Sequence, residues 1–261
     1  MPTEPPRGSL PPRRPTPTSA TDLLSGTPRA ELFRLAGIPI RIDATFALVP
    51  IFLFGILQQG TLANALPTFL AVVVGVFLSV LIHELGHALL ARLFGVPVGE
   101  ILVGGFYGYA RMLGPAPSTV ANVLILLAGP LANGLIFLGL WRLLGSPSID
   151  LSGRFGYVEP SPLIAGTPWM IHTAFSLARI NLAMLIFNLL PAFPLDGGRI
   201  YRDLLAAIIP RITAARVVAA LGVIVGVWSA FAGLKVDIVL MLIGAEIAII
   251  NWAMLKRPEE A

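Results

Sequence analysis

No cysteine occurs in the 261-residue chain. That excludes disulfides, thiolate metal sites and thiol nucleophiles, and leaves only imidazole and carboxylate to bind a metal. Charge is scarce as well: Asp, Glu, Lys and Arg make up 12% of the residues, about half the share found in an ordinary soluble domain. Histidine occurs three times. Hydrophobic residues take 56% of the chain, at a mean hydropathy of +0.84. A chain of one domain's length with so little charge can cover its apolar surface only with lipid, so the composition reads as a multispanning membrane protein embedded in a lipid bilayer. The pI near 10.0 invites a nucleic-acid reading. The basic residues, however, are scattered between apolar spans with no aromatic-interleaved patch, so they follow membrane topology and nucleic acid is not an expected partner.

Three segments are expected. Residues 1–30 form a Pro/Arg-rich disordered cytoplasmic tail, with eight prolines and three arginines in residues 1–28 and no apolar core of the kind a signal peptide needs. Residues 31–255 form an integral membrane domain, and 256–261 a short cytoplasmic C-terminal tail. In LFRLAGIPIRID (Leu32 to Asp43), Ile38, Ile40 and Ile42 alternate around Pro39 and Arg41, which predicts a short edge strand at the membrane surface. A span of about 20 apolar residues gives six helices, at roughly 44–58, 67–93, 118–144, 168–191, 214–233 and 236–254. The expected fold class is therefore an all-α polytopic membrane protein with about six transmembrane helices and a short surface β-strand or hairpin. With the N-terminus inside, 14 of the 18 Lys and Arg residues fall on the inner side. This predicts a multi-pass protein of the cell (cytoplasmic) membrane with both termini cytoplasmic.

Ionisable side chains inside the bilayer cost a few kcal/mol each and persist there for function. The second predicted helix nevertheless ends in HELGH, His83 to His87. Histidines at i and i+4 stand on one helical face, close enough to grip one zinc ion, and the intervening Glu84 projects beside a water on that ion. A catalytic zinc takes three protein ligands and keeps an open position, so a third ligand comes from elsewhere in the chain. Downstream, FNLLPAFPLDGGRIY (Phe187 to Tyr201) ends the fourth helix with Pro191 and Pro194, which break it, and Gly197 and Gly198, which allow a sharp bend. Asp196 rides on that break at the depth of the histidines. In a soluble protein LDGG would be an ordinary turn; its matched depth makes Asp196 a candidate ligand.

HELGH, the stretch NLLPAFPLDGG (Asn188 to Gly198) and AGPLAN (Ala128 to Asn133) together resemble the site-2 protease family of intramembrane zinc metalloproteases, in its bacterial six-helix form without CBS or PDZ domains. The resemblance covers about residues 32–205. It implies one Zn2+ per chain held by His83, His87 and Asp196, with Glu84 as catalytic acid and base and Asn188 assisting substrate or oxyanion binding. It also implies a single-span membrane protein as substrate. Two positions depart from the family's pattern: GGFYGYA (Gly104 to Ala110) carries Tyr107 where many relatives have glycine, and Asp43 stands where a histidine is often found.

The substrate helix must unwind before its carbonyls can be attacked, and an unwound segment pairs readily with a sheet edge. Gly37 to Ile42 and a re-entrant hairpin over Gly99 to Leu113 are the candidate edges. Asn181 and Asn188 share one face of the fourth helix, with Asn181 read as interhelical glue; Asn133 and Pro130 are read first as packing beside the zinc helix, with an active-site contribution second. His172 reads as interfacial. Arg179 and Glu246 are expected to pair between helices four and six. Two other readings remain: a prenyl-protein-type membrane zinc protease with Glu246 as third ligand, and a non-catalytic membrane scaffold with a vestigial site.

Overall fold

The computed structural model describes residues 29–54, 61–105, 108–146, 160–236 and 238–260. The predicted N-terminal tail up to residue 28, the end of the first predicted helix, Tyr107 and the last residue lie outside the described residues.

The chain begins with strand β1 (Arg29–Leu35) and strand β2 (Ile38–Asp43), paired antiparallel with Leu35 opposite Ile38. The two turn residues, Ala36 and Gly37, have φ of 48° and 75°. Two successive left-handed residues give the turn whose twist matches that of the strands it joins. A 3-10 turn, Ala44–Ala47, follows, capped by the Asp43 carboxylate, which accepts from the Thr45 N–H at 2.8 Å. The short helix α1 (Leu48–Leu53) leads to α2 (Leu62–Leu93), then to strands β3 (Val98–Val103) and β4 (Gly108–Met112). Five helices complete the described chain: α3 (Thr119–Leu143), α4 (Pro168–Phe187), α5 (Asp196–Leu205), α6 (Arg211–Val236) and α7 (Ile238–Lys256).

Among the described residues, α2, α3, α4, α6 and α7 are long and apolar enough to cross a membrane. They are apolar all round, as lipid-covered helices must be. The first predicted helix is described only as the apolar stretch Ala44–Leu53, which is shorter than a span. An element not anticipated from the sequence is α5, a ten-residue helix starting at Asp196 itself.

The four strands form one sheet in the order β1-β2-β3-β4. The single edge strand expected over Leu32 to Asp43 is instead a hairpin of two strands: β1 is an edge, as β4 is, and β2 is interior. Alternation of apolar residues reports which face is buried but not which side has a neighbour. Pro39 is tolerated because the parallel pairing of β2 with β3 begins only at Ile40, opposite Ile101, so its missing N–H removes no rung of that ladder. The apolar face of the sheet, Ile38, Ile40, Ile101 and Val103, packs on Leu81, Ala88 and Ala91 of α2 and on Ile125 of α3. This core grips the segment of α2 that carries HELGH.

The expected Arg179–Glu246 ion pair is also absent: no such contact occurs among the described residues, and both side chains are exposed. The reason is tertiary. The helix α7 packs along α6, and the pair reaches the rest of the chain chiefly through α5 rather than through α4.

Ile101 is fully buried between the sheet and α2, so Ile101→Ala should destabilise the protein by about 2–5 kcal/mol. Denaturant or thermal unfolding of the detergent-solubilised protein measures the loss; no change would mean that the sheet does not support α2.

Candidate metal centre

His83, Glu84 and His87 are all buried near the end of α2. The helices α2 and α3 approach closely there because glycines face each other. A Cβ on Gly86 would lie 2.6 Å from the Ala128 carbonyl oxygen, and a Cβ on Gly129 would run into the imidazole of His87 and lie 2.7 Å from His83 Nε2. Gly129 therefore leaves the space into which both imidazoles turn.

The ring orientations follow from their partners. His87 Nδ1 lies 2.7 Å from the Ile125 carbonyl oxygen, which can only accept, so this nitrogen carries the proton. For His83 the assignment runs through a buried chain of amides. The Asn181 amide donates to the Leu177 carbonyl at 2.9 Å and to Ser79 Oγ at 2.9 Å, which turns Asn181 Oδ1 toward Asn133. The Asn133 Nδ2 donates to that oxygen at 2.8 Å, leaving Asn133 Oδ1 to accept from His83 Nδ1 at 2.6 Å. A backbone carbonyl thus fixes the tautomer three residues away. With Nδ1 committed to an acceptor in each ring, it is Nε2 that both histidines turn toward the site, the nitrogen that is free to ligate a metal.

Asp196 arrives from the other side. The helix α4 ends at Phe187, Asn188 caps it, and the chain folds back so that the Gly197 N–H donates to the Asn188 carbonyl at 2.7 Å. A Cβ on Gly197 would collide with the Leu190 carbonyl, which explains a glycine directly after the carboxylate. Asp196 is the first residue of α5, where the helix dipole favours a negative charge. Its Oδ2 lies 3.2 Å from Nε2 of each histidine, and the two Nε2 atoms are 3.1 Å apart.

This arrangement tests whether a metal fits. Two imidazole Nε2 atoms and a carboxylate oxygen converge on one point, and Asp196 Oδ2 is buried with no hydrogen-bond partner. A cation among them would satisfy all three at once. Ligands of a tetrahedral zinc at about 2.0–2.1 Å stand about 3.3 Å from one another, close to the observed edges. The donor set fits zinc, and within the described residues it is the group of His, Asp and Glu side chains able to hold a metal ion.

Of the residues singled out from sequence, His83, His87 and Asp196 come together, with Glu84 between the histidines. A Cβ on Gly108 would lie 2.8 Å from Glu84 Oε1, so the first residue of edge strand β4 covers this carboxylate with bare backbone. Asn188 is half-buried, and its amide donates to the Met184 carbonyl at 3.0 Å. Glu246 is exposed on α7 and stands outside the cluster. Asn133 does more than pack: its Oδ1 meets His83 Nδ1 at 2.6 Å. An amide within an apolar span has no partners in lipid and must find them on a neighbouring helix, which is the signal that the sequence offers at this position.

Fold and site define a class: a polytopic membrane protein with a buried candidate His-His-Asp metal centre, whose histidines lie on the first long helix, α2, beside a small sheet, and whose carboxylate starts α5. The profile of peptidase family M50 matches residues 71–148 and 145–233, more than half of the chain, and the chain belongs to this family. A zinc metalloprotease of Methanocaldococcus jannaschii is 36% identical over 67% of this chain and 45% of its own length. Rip3 of Mycobacterium tuberculosis is 35% identical over 59% of this chain and 41% of its own. The chain thus spans less than half the length of these curated relatives. A solved site-2 protease from Methanocaldococcus jannaschii matches with a TM-score of 0.58 at 27% identity, covering 87% of this chain and 95% of that one. The family anticipated from HELGH and LDGG is the one that matches, and the chain is a multi-pass membrane protein.

Asn133→Leu removes the acceptor that orients His83. It should weaken zinc binding by about 10–100-fold, as loss of such partners does elsewhere; competition with a chromophoric chelator reads the change. Unaltered affinity would show that the amide chain serves packing alone.

Proposed function

We propose that the chain is a zinc-dependent intramembrane endopeptidase that cleaves peptide bonds in or near the transmembrane segment of single-span membrane proteins, the proteolytic step of regulated intramembrane proteolysis. The observation that carries the reading is the triangle of His83 Nε2, His87 Nε2 and Asp196 Oδ2, with edges of 3.1–3.2 Å, set among apolar helices with a glutamate on the same helical turn. The prenyl-protein-type alternative loses support because Glu246 is exposed and remote from the histidines.

His83, His87 and Asp196 would hold one zinc ion per chain. When bound, zinc supplies Lewis acidity toward water and toward the scissile carbonyl. Glu84 takes the proton of the attacking water and returns it to the leaving amine nitrogen; its burial beside the ligands keeps it within reach of both. Asn188 spends one amide hydrogen on Met184, and we assign its second to the substrate. The tautomer fixed by Asn133 keeps His83 aimed through each cycle.

Substrate backbone must be extended to be cut, and β4 is the sheet edge beside Glu84. A segment added along β4 would exchange its lost helical hydrogen bonds for ladder bonds and pass over the carboxylate where Gly108 has no side chain.

Six spans with both termini in the cytoplasm complete the proposal. The strands β2 and β3 lie side by side in one sheet, so the chain between them returns to the face it left. Since α2 provides one crossing, a second would precede it, with the apolar stretch Ala44–Leu53 as its described part, and the inner-side excess of Lys and Arg, 14 of 18, supports the orientation.

Glu84→Gln should retain zinc and lose at least about 10²–10⁴-fold in hydrolysis; cells carrying it should accumulate uncut membrane substrates relative to cells carrying the native chain. Continued cleavage by that variant would sink the enzyme assignment. Gly108→Val should block Glu84 with zinc content unchanged, which metal analysis beside a cleavage assay separates from loss of the metal centre.

A further inference from the structure

Outside the metal centre, the most committed polar side chain is Asn251 on α7, fully buried and far in sequence from His83, His87 and Asp196. Its partners are backbone groups of one residue on another element. The Phe193 N–H donates to Asn251 Oδ1 at 3.0 Å, and Asn251 Nδ2 donates to the Phe193 carbonyl at 2.6 Å and to the Ile247 carbonyl of its own helix at 2.8 Å. The amide thus pairs with Phe193 as a neighbouring strand would. The carbonyls of Ile247 and Phe193, which only accept, fix which end of the amide faces which group.

Phe193 lies three residues before Asp196, on the irregular segment between α4 and α5. Irregular backbone inside a membrane protein must have its N–H and C=O groups satisfied by protein, and at Phe193 both are satisfied by one side chain. The ring of Phe193 is held by the same structure, packed with Val218 and Ala219 of α6, Leu205 of α5 and Ile250 and Met254 of α7. Space for the amide is provided by Gly222 on α6, where a Cβ would collide with Asn251 Oδ1. The next contact runs to the ligand: the Ala192 carbonyl sits 2.6 Å from where a Cβ on Gly198 would be, so the residue before Phe193 rests on the first turn of α5, the turn that starts at Asp196.

From this juxtaposition we infer that Asn251 is a positioning residue for the metal centre. It fixes the Phe193 peptide and thereby sets the Asp196 carboxylate against His83 and His87, so that the third ligand is placed by the α6–α7 pair and not by α4 alone. The inference rests on the proposed ligand set. Packing alone would be served by a leucine of similar size at position 251; two-sided recognition of a peptide unit requires an amide.

The test is zinc affinity of the purified full-length protein in detergent, by competition with a chromophoric chelator, with the visible spectrum of the Co2+-loaded form as a report on ligand geometry. Asn251→Leu should weaken zinc binding by about 10–100-fold, the range for residues that orient ligands, and alter the Co2+ spectrum. Gly222→Ala, which displaces the amide without removing it, should act in the same direction and carries the test where Asn251→Leu does not fold. Gly244→Ala loosens the same helix pair at a distance, since its Cβ would meet the backbone of α6 at Ala230 and Ser229; it should lower thermal stability and leave zinc affinity as in the native chain. If Asp196→Ala loses zinc while Asn251→Leu and Gly222→Ala bind it as the native chain does, Asn251 is structural only and the inference is overturned. Equal weakening by Gly244→Ala would overturn it too. If the native chain takes up no zinc, or Asp196→Ala binds it unchanged, the ligand assignment itself fails first.

Discussion

Three candidate ligand atoms pointing at one spot inside a membrane protein is the constraint on which the rest of this structure depends. The two Nε2 atoms and the Asp196 oxygen stand 3.1–3.2 Å apart, and a cation among them would satisfy all three at once. The surrounding fold holds them there. The sheet and α3 clamp the end of α2, a pair of glycines lets α2 and α3 nearly touch, and the segment after α4 turns back sharply enough to bring a carboxylate from the opposite direction. Each device is ordinary by itself; together they determine where three side chains stop.

Much of the site was legible because its information is local. HELGH places two imidazoles on one face by helical geometry alone. Asp196 could be matched to them because depth in a bilayer is counted along the chain, and the prolines and glycines around it announce a break. What was misread depends on which element lies beside which. Asn133 looked like packing because nothing in AGPLAN says that its side chain meets His83. The strand Ile38–Asp43 looked like an edge because alternation is blind to neighbours, whereas the structure sets it between β1 and β3. Arg179 and Glu246 were matched by charge, yet α7 lies along α6. Asn251 attracted no notice, since its partner is main chain and main chain has no sequence signature.

The small residues make a related point. Gly129 opposite the histidines, Gly108 over Glu84 and Gly222 beneath Asn251 each mark a place where a buried polar side chain occupies the volume a Cβ would have filled. Glycine is costly in a helix interior, by about 0.5–1 kcal/mol relative to alanine, and at Gly129 and Gly222 the loss is matched by a side chain that could not otherwise be buried there.

The column of groups behind His83 has a further consequence. It runs from the imidazole through Asn133 and Asn181 to Ser79 and the Leu177 carbonyl, a continuous polar line through the apolar interior. Such a line in a membrane across which cells store a proton gradient would be a hazard if it relayed protons. Carboxamides neither gain nor release them near neutrality, and this chain is polarised in one direction, toward an oxygen that only accepts. The column keeps an imidazole aligned while remaining an insulator, so chemistry that moves protons at one end does not leak current to the other.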